Sequence, residues 1–211
     1  MKVISETSSG LEFQIHSPFG TADIKTALHG RFNAFNVTAA VVAVTGLGFP
    51  FTEVANAASH LLPVDGRMQE VKGGSDIRVV VDYAHTPDAL SSALSALKQS
   101  CTGALWVVFG CGGDRDAGKR PEMGRIADSL ADQLVVTNDN PRLESPEMIA
   151  EDILVGITGS ACHVELDRGA AIRHAVLNAR SGDTVLVAGK GHENYQLVGK
   201  NKLDFSDVSS A

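Results

Sequence analysis

Apolar and polar residues alternate between positions 10 and 28, with Leu11, Phe13 and Ile15 before Ser17-Pro18-Phe19-Gly20 and Ala22 and Ile24 after it. That period of two predicts a β-hairpin. Asn33 to Thr45 is rich in Ala and Val and ends at Gly46 and Gly48, which predicts a helix. A second helix is predicted from an N-cap at Thr52 to Leu62, before Pro63-Val64-Asp65-Gly66 breaks the chain. A hairpin and two helices in this stretch look like the tail end of a larger domain. After Gly66 the rhythm changes. The apolar runs Val79–Val81, Leu105–Phe109, Leu134–Val136, Val164–Leu166 and Thr184–Ala188 alternate with predicted helices over 87–99, 121–131, 146–157 and 169–180. This β-α-β-α order predicts an α/β fold with a doubly wound, mostly parallel sheet. Continuously apolar strands fit burial on both faces. Residues 195–205 predict a terminal hairpin around Gly199–Lys202.

Length agrees with two unequal pieces: 211 residues is one domain of ~150 residues plus a fraction of another. The pieces are expected at 1–65 and 66–211. With 25 acidic against 18 basic side chains the formal net charge is −7, which argues against a nucleic-acid binder, since that needs a basic face. Apolar content is ordinary for a globular chain. The longest apolar stretch, Val37–Phe51, is interrupted by Thr38, Thr45, Gly46, Gly48 and Pro50, so no membrane span is expected. Cys101, Cys111 and Cys162 form no C-x-x-C. Neither a disulfide framework nor a zinc ribbon is supported, and a reduced cytoplasmic setting is expected. The amino terminus has no signal-peptide pattern.

The polar clusters all follow strands. Val81 leads into Asp82-Tyr83-Ala84-His85-Thr86-Pro87, and Phe109 into Gly110-Cys111-Gly112-Gly113-Asp114-Arg115-Asp116. Val136 leads into Thr137-Asn138-Asp139-Asn140-Pro141-Arg142, and Ala188 into Gly189-Lys190-Gly191-His192-Glu193. In a parallel sheet the carboxyl ends of the strands share one edge, and ligands bind in the crevice there. Four such loops therefore predict one site. It offers Arg115, Arg142 and Lys190 beside Asp114, Asp139 and Glu193. Both signs of charge suit a zwitterion such as an amino acid better than a polyphosphate.

Simpler readings exist for several of these residues. Gly113–Arg120 nearly spells a phosphate-binding loop, but Arg120 stands where Ser or Thr would bind Mg²⁺, and two aspartates inside it repel phosphate. No G-x-G-x-x-G follows a strand. Thr86-Pro87 and Ser145-Pro146 read as helix caps. Asp82, His85, Cys111 and His192 lack the spacing of a metal site. His85 and His192 fit ordinary hydrogen-bonding histidines, and Arg67 a surface arginine. Asn33 and Asn36 fit the polar start of a helix, and Cys111 a small residue in a tight turn.

Taken together and in order, Gly30-Arg31-Phe32-Asn33-Ala34-Phe35-Asn36, Gly66-Arg67-Met68, the Asp82–Pro87 and Gly110–Asp116 loops, Asp139-Asn140-Pro141-Arg142 and Gly189-Lys190-Gly191-His192-Glu193 resemble the C-terminal part of a Mur ligase. The resemblance runs from about Phe32 to Asp207 and is greatest to members that add meso-diaminopimelate. It implies a Rossmann-like amino-acid-binding domain at 66–211, preceded at 1–65 by the remnant of an α/β ATPase domain. It implies ATP-dependent joining of meso-diaminopimelate to UDP-N-acetylmuramoyl-L-alanyl-D-glutamate in peptidoglycan precursor synthesis. Arg115, Asp139, Asn140, Arg142, Gly189 and Glu193 would hold diaminopimelate. Asn33, Asn36, Arg67, Asp82 and His85 would meet ATP.

The first domain and most of the ATPase domain have no counterpart here, and no Mg²⁺ ligand can be assigned. The chain stops at Ser209-Ser210-Ala211, where relatives continue into a last helix. A fragment is therefore expected, inactive alone, whose partners are small molecules and the missing domains. It is also expected to expose apolar surface in residues 1–62. A non-catalytic zwitterion-binding module and a folylpolyglutamate-type ligase domain are the alternative readings.

Overall fold

The structure, a computed structural model, describes residues 1–7, 10–71, 76–159 and 161–211. It divides into two compact units, Met1–Val64 and Asp65–Ala211.

In the first unit, β1 (Lys2–Thr7), β2 (Gly10–Ser17) and β3 (Gly20–Thr26) form an antiparallel sheet in that order, followed by α1 (Arg31–Gly46) and α2 (Phe51–Ala58). The alternation that predicts the hairpin also builds its core. Leu11, Phe13, Ile15 and Ile24 turn inward against Ala34, Val37 and Val41, which lie on one face of α1. Strand β1 was not anticipated. Its register shifts between Val3 and Ser5, and the bulge leaves Ile4 exposed, so its apolar residues do not alternate cleanly. Helix α2 starts two residues earlier than expected, with Pro50 rather than Thr52 at the N-cap, and ends at Ala58 rather than Leu62. Apolar side chains are exposed as expected: Phe35, Leu47, Phe49, Leu61 and Leu62 all face out.

The second unit is a six-stranded sheet in the order β4-β5-β9-β6-β7-β8. Its strands are β4 (Gln69–Val71), β5 (Arg78–Asp82), β6 (Leu105–Phe109), β7 (Gln133–Val136), β8 (Cys162–Val164) and β9 (Thr184–Ala188). All pairs are parallel except β4–β5. The short antiparallel edge strand β4 is an addition to the expected sheet. The expected Val164–Leu166 strand is shifted to Cys162–Val164, at the opposite, half-exposed edge. Between the strands run α3 (Pro87–Ser100), α4 (Lys119–Leu130), α5 (Pro146–Leu154) and α6 (Arg168–Asn178). Ala171, Ile172 and Ala175 of α6 pack on Val79, Val81, Val108, Val135, Val185 and Val187. The strand residues between these point to the other face, which is why every residue of β9 is buried.

Thr86 and Ser145 cap α3 and α5 by accepting from Ala89 and Met148, each with Pro in the first turn. The terminal hairpin, β10 (Tyr195–Val198) and β11 (Asn201–Asp204), is followed by a single helical turn, α7 (Asp207–Ser210). No helix among the described residues is long and apolar enough to cross a membrane.

Candidate functional site

Because β5, β9, β6 and β7 run parallel and side by side, their carboxyl ends release the chain at one rim. The loops that follow line a cleft of about 540 Å³, a size suited to a small molecule. All six residues expected to hold the amino acid line it: Arg115, Asp139, Asn140, Arg142, Gly189 and Glu193. Tyr83, His85, Thr86, Gly112, Asp116, Lys119 and Tyr195 complete the wall.

Two glycines mark opposite electrostatic poles of the cleft. At Gly112 a Cβ would stand 2.9 Å from Arg142 Nη1 and 3.7 Å from Arg115 Cγ, so the two arginines meet there. Arg142 Nη1 donates to the carbonyl of Gly113 at 2.8 Å, and its backbone pairs with Leu197 and Gly199 of the terminal hairpin. It adopts a left-handed φ of 53°, held by that clip. Arg115 is exposed and has no ion-pair or hydrogen-bond partner among the described residues. Lys119, at the start of α4, donates to the carbonyl of His85 at 2.7 Å and forms no ion pair among the described residues. This pole thus offers cations without carboxylate partners.

At Gly189, φ is 123° and a Cβ would meet Asp139 Oδ2 at 2.9 Å, so glycine is required for the close approach. Asp139 and Glu193 gather here around Lys190. Its Nζ lies 3.0 Å from Asn140 Oδ1, 3.1 Å from Glu193 Oε2 and 3.7 Å from Asp139 Oδ1. Asn140 Nδ2 donates to Glu193 at 3.1 Å, and Asn140 Oδ1 also accepts from Leu197 N. No backbone amide among the described residues donates to either carboxylate.

Two residues read from the sequence as facing the ligand do not. Lys190 is fully buried, because its ammonium is enclosed by the acids it neutralises. Asp114 turns away to accept from Leu143 N, while its own N–H donates to Glu144. Arg120, the residue that spoils the phosphate-loop pattern, is buried in ion pairs with Glu144 and Asp152.

Beneath the rim lies a second buried cation that the sequence does not reveal. Arg168, at the first turn of α6, makes a two-pronged pair with Asp207 and donates to the carbonyls of Asn138 and Ala188. It ties together the loops after β7 and β9. Lys119, Tyr195 and Arg168 were all missed as site residues. Lys119 lies inside the Gly113–Arg120 near-match, and a position inside a rejected motif still marks a helix start facing the cleft.

The residues expected at ATP divide between the units. In the first, Asn33 donates to the carbonyl of His29 and accepts from Asn36, and Asn36 is exposed. In the second, Arg67 stacks on Tyr83 at 4.6 Å. Asp82 is buried and accepts from Met68 N at 2.7 Å. Burial pushes its carboxyl above the usual range, opposed by the amides of Met68 and Ala84 and by the charges of Arg67 and His85. His85 Nδ1 sits 2.7 Å from the Tyr83 carbonyl, which fixes its tautomer and turns Nε2 outward from that bond. His85 lines the cleft itself. Cys111 is buried against Met123, and burial pushes its thiol up to about 12. No group of three or more His, Cys, Asp or Glu among the described residues could hold a metal ion.

The family model "Mur ligase, glutamate ligase domain" matches residues 66–191. The chain is 49% identical over 210 residues to a UDP-N-acetylmuramoyl-L-alanyl-D-glutamate--2,6-diaminopimelate ligase of Chromobacterium violaceum, covering 99% of this chain and 43% of that protein. It is 46% identical to the protein of the same name from Vibrio vulnificus, covering 99% of this chain and 42% of that one. A solved structure of a ligase of this name aligns with a TM-score of 0.71 and 40% identity, over 99% of this chain and 43% of the other. The chain therefore spans less than half the length of these relatives.

Proposed function

This chain belongs to the Mur ligase family, and from that premise we propose that its second unit is the amino-acid-binding part of a ligase joining meso-diaminopimelate to UDP-N-acetylmuramoyl-L-alanyl-D-glutamate. The observation that carries the reading is the two-pole cleft. Diaminopimelate has two carboxylates and two ammonium groups. Arg115 and Arg142 at the Gly112 pole suit a carboxylate, and Asp139, Glu193 and the Gly189 carbonyl suit an ammonium. Asn140 serves by aiming Glu193. Lysine lacks the distal carboxylate and would leave an arginine unmatched.

The chain's share of catalysis is positioning. Held at both ends, the amino acid presents its reacting amine at a fixed place and loses its freedom before the reaction rather than during it. ATP would supply the phosphoryl group that activates the acceptor carboxylate. The residues present fit only the nucleoside end of ATP. Arg67 and Asn36 are exposed, with Asn33, Asp82 and His85 beside them in their own units. The Gly113–Arg120 loop does not fit phosphates, since Arg120 is locked in ion pairs. We assign neither phosphoryl transfer nor metal chemistry to these residues, since no metal-ligand cluster occurs among the described residues. We place 1–65 as the end of the ATP-binding domain and 66–211 as the amino-acid domain of a cytoplasmic enzyme whose remaining domains lie outside this chain.

Titration calorimetry of the 211-residue chain with meso-diaminopimelate and with L-lysine tests this. Diaminopimelate should bind and lysine should bind at least about tenfold more weakly. Arg115→Ala should remove that preference. Equal binding of both amino acids by the parent chain overturns the reading.

A further inference from the structure

A lysine with no accessible surface, in a loop that otherwise forms a ligand cleft, calls for an explanation. Lys190 cannot reach a ligand, yet it touches three residues of the cleft wall. Its Nζ lies between Asp139 and Glu193, whose backbones are far apart in sequence and come from loops after different strands, β7 and β9. Without a cation between them these carboxylates would repel and turn apart into solvent. Asn140 closes the arrangement by accepting from Lys190 through Oδ1 and donating to Glu193 through Nδ2. Flanking glycines make the inward turn possible. Gly189 and Gly191 both have left-handed φ, so the loop can fold its cation under itself.

Charge decides what the assembly attracts. At the Gly189 pole the buried cations are Lys190 and Arg168, while Asp139, Glu193 and Asp207 are the acids within their reach. One negative charge is left over, and the cleft is the face on which Asp139 and Glu193 open. A ligand ammonium is the group that balances it.

We propose that Lys190 is a positioning residue: an internal counter-ion that sets the separation and aim of Asp139 and Glu193, and through them the cleft's preference for a ligand with a second ammonium group. This rests on the amino-acid-binding reading above.

The test compares two ligands that differ in that group. They are meso-diaminopimelate and 2-aminopimelate, which keeps the chain and both carboxylates but has hydrogen in place of the distal ammonium. The parent chain should prefer diaminopimelate in calorimetry. Lys190→Met, similar in length and uncharged, should cut that preference about tenfold or more while binding 2-aminopimelate nearly as the parent does. Lys190→Arg, which keeps the charge, should retain part of it. A merely structural lysine would weaken both ligands together, and that result overturns the proposal, as does an unchanged preference in Lys190→Met.

A parent chain that shows no preference sinks the underlying reading instead, so the two failures are distinct. If Lys190→Met does not fold, a crystal structure of the parent with diaminopimelate decides. The distal nitrogen should lie within hydrogen-bonding reach of Asp139 and Glu193 with Lys190 still beneath them. Lys190 swung out to a ligand carboxylate overturns the proposal.

Discussion

At the amino ends of the strands, Asp132 accepts from Leu105 N and Asp183 accepts from Ala104 N, Arg180 N and the Trp106 indole. At the carboxyl ends of the same sheet, Asp139 and Glu193 accept no backbone amide among the described residues and share Lys190 instead. Both ends carry aspartates next to strands, and in sequence the two kinds look alike. The difference is in what the carboxylate oxygens already hold. Filled by N–H donors, as Asp183 is, a carboxylate staples loops together. Paired with a buried cation on one side, it keeps an open side for a ligand. The same chemistry thus yields scaffold at one rim and recognition at the other.

The largest effect is expected from the buried cation that stiffens the recognition rim. Arg168→Met strands Asp207 in the interior and frees the carbonyls of Asn138 and Ala188. Breaking one side of such a pair costs about 3–5 kcal/mol, readable in urea unfolding. Removing both partners, as Arg168→Met with Asp207→Leu, should cost less than the single change, since no unpaired charge stays buried. A loss below about 1 kcal/mol in the single variant would mean the rim owes its rigidity to something else.

A smaller loss, with a different readout, is expected at the scaffold rim. Burial opposes ionisation of Asp183, but the amides of Arg180 and Ala104 and the Trp106 indole hold its carboxyl below the usual range. A lowered folded value means that its stabilisation is complete well above the ordinary value of 3.8 and fades as pH falls through the lower folded value. Asp183→Ala should therefore cost about 1–3 kcal/mol near neutral pH, and the gap to the parent should close in acid. Diaminopimelate affinity should not move. A drop in affinity would erase the contrast between the rims.

How far this contrast was legible in the sequence depends on distance along the chain. The strand and helix rhythm after Gly66, the caps at Thr86 and Ser145 and the shared rim follow from local pattern, and the six amino-acid residues expected there do line one cleft. The direction of Lys190 does not follow. Between two glycines it reads as a mobile cation facing a ligand, and the buried place it takes is completed by Asp139 and Asn140, about fifty positions away, together with the local Glu193. Arg168 and Asp207 are likewise joined by the fold alone. Strand β1 stayed hidden because a bulge breaks its alternation, and β4 because three residues carry too little period.

The smallest expected effect is the sharpest control, because it matches lysine with lysine. Lys98 Nζ lies 2.6 Å from Asp132, closer than Lys190 is to either of its acids, so distance alone would rank it the stronger pair. Its side chain, however, is 46% exposed and that of Asp132 43%, against none for Lys190. Water and salt screen the outer pair, and Asp132 keeps the Leu105 amide when the lysine goes. Lys98→Ala should cost no more than about 0.5 kcal/mol, shrink further in high salt, and leave binding of both pimelate ligands untouched. A larger cost, insensitive to salt, would show that a short ion pair stabilises wherever it stands, and burial would no longer be what separates the two ends of this sheet.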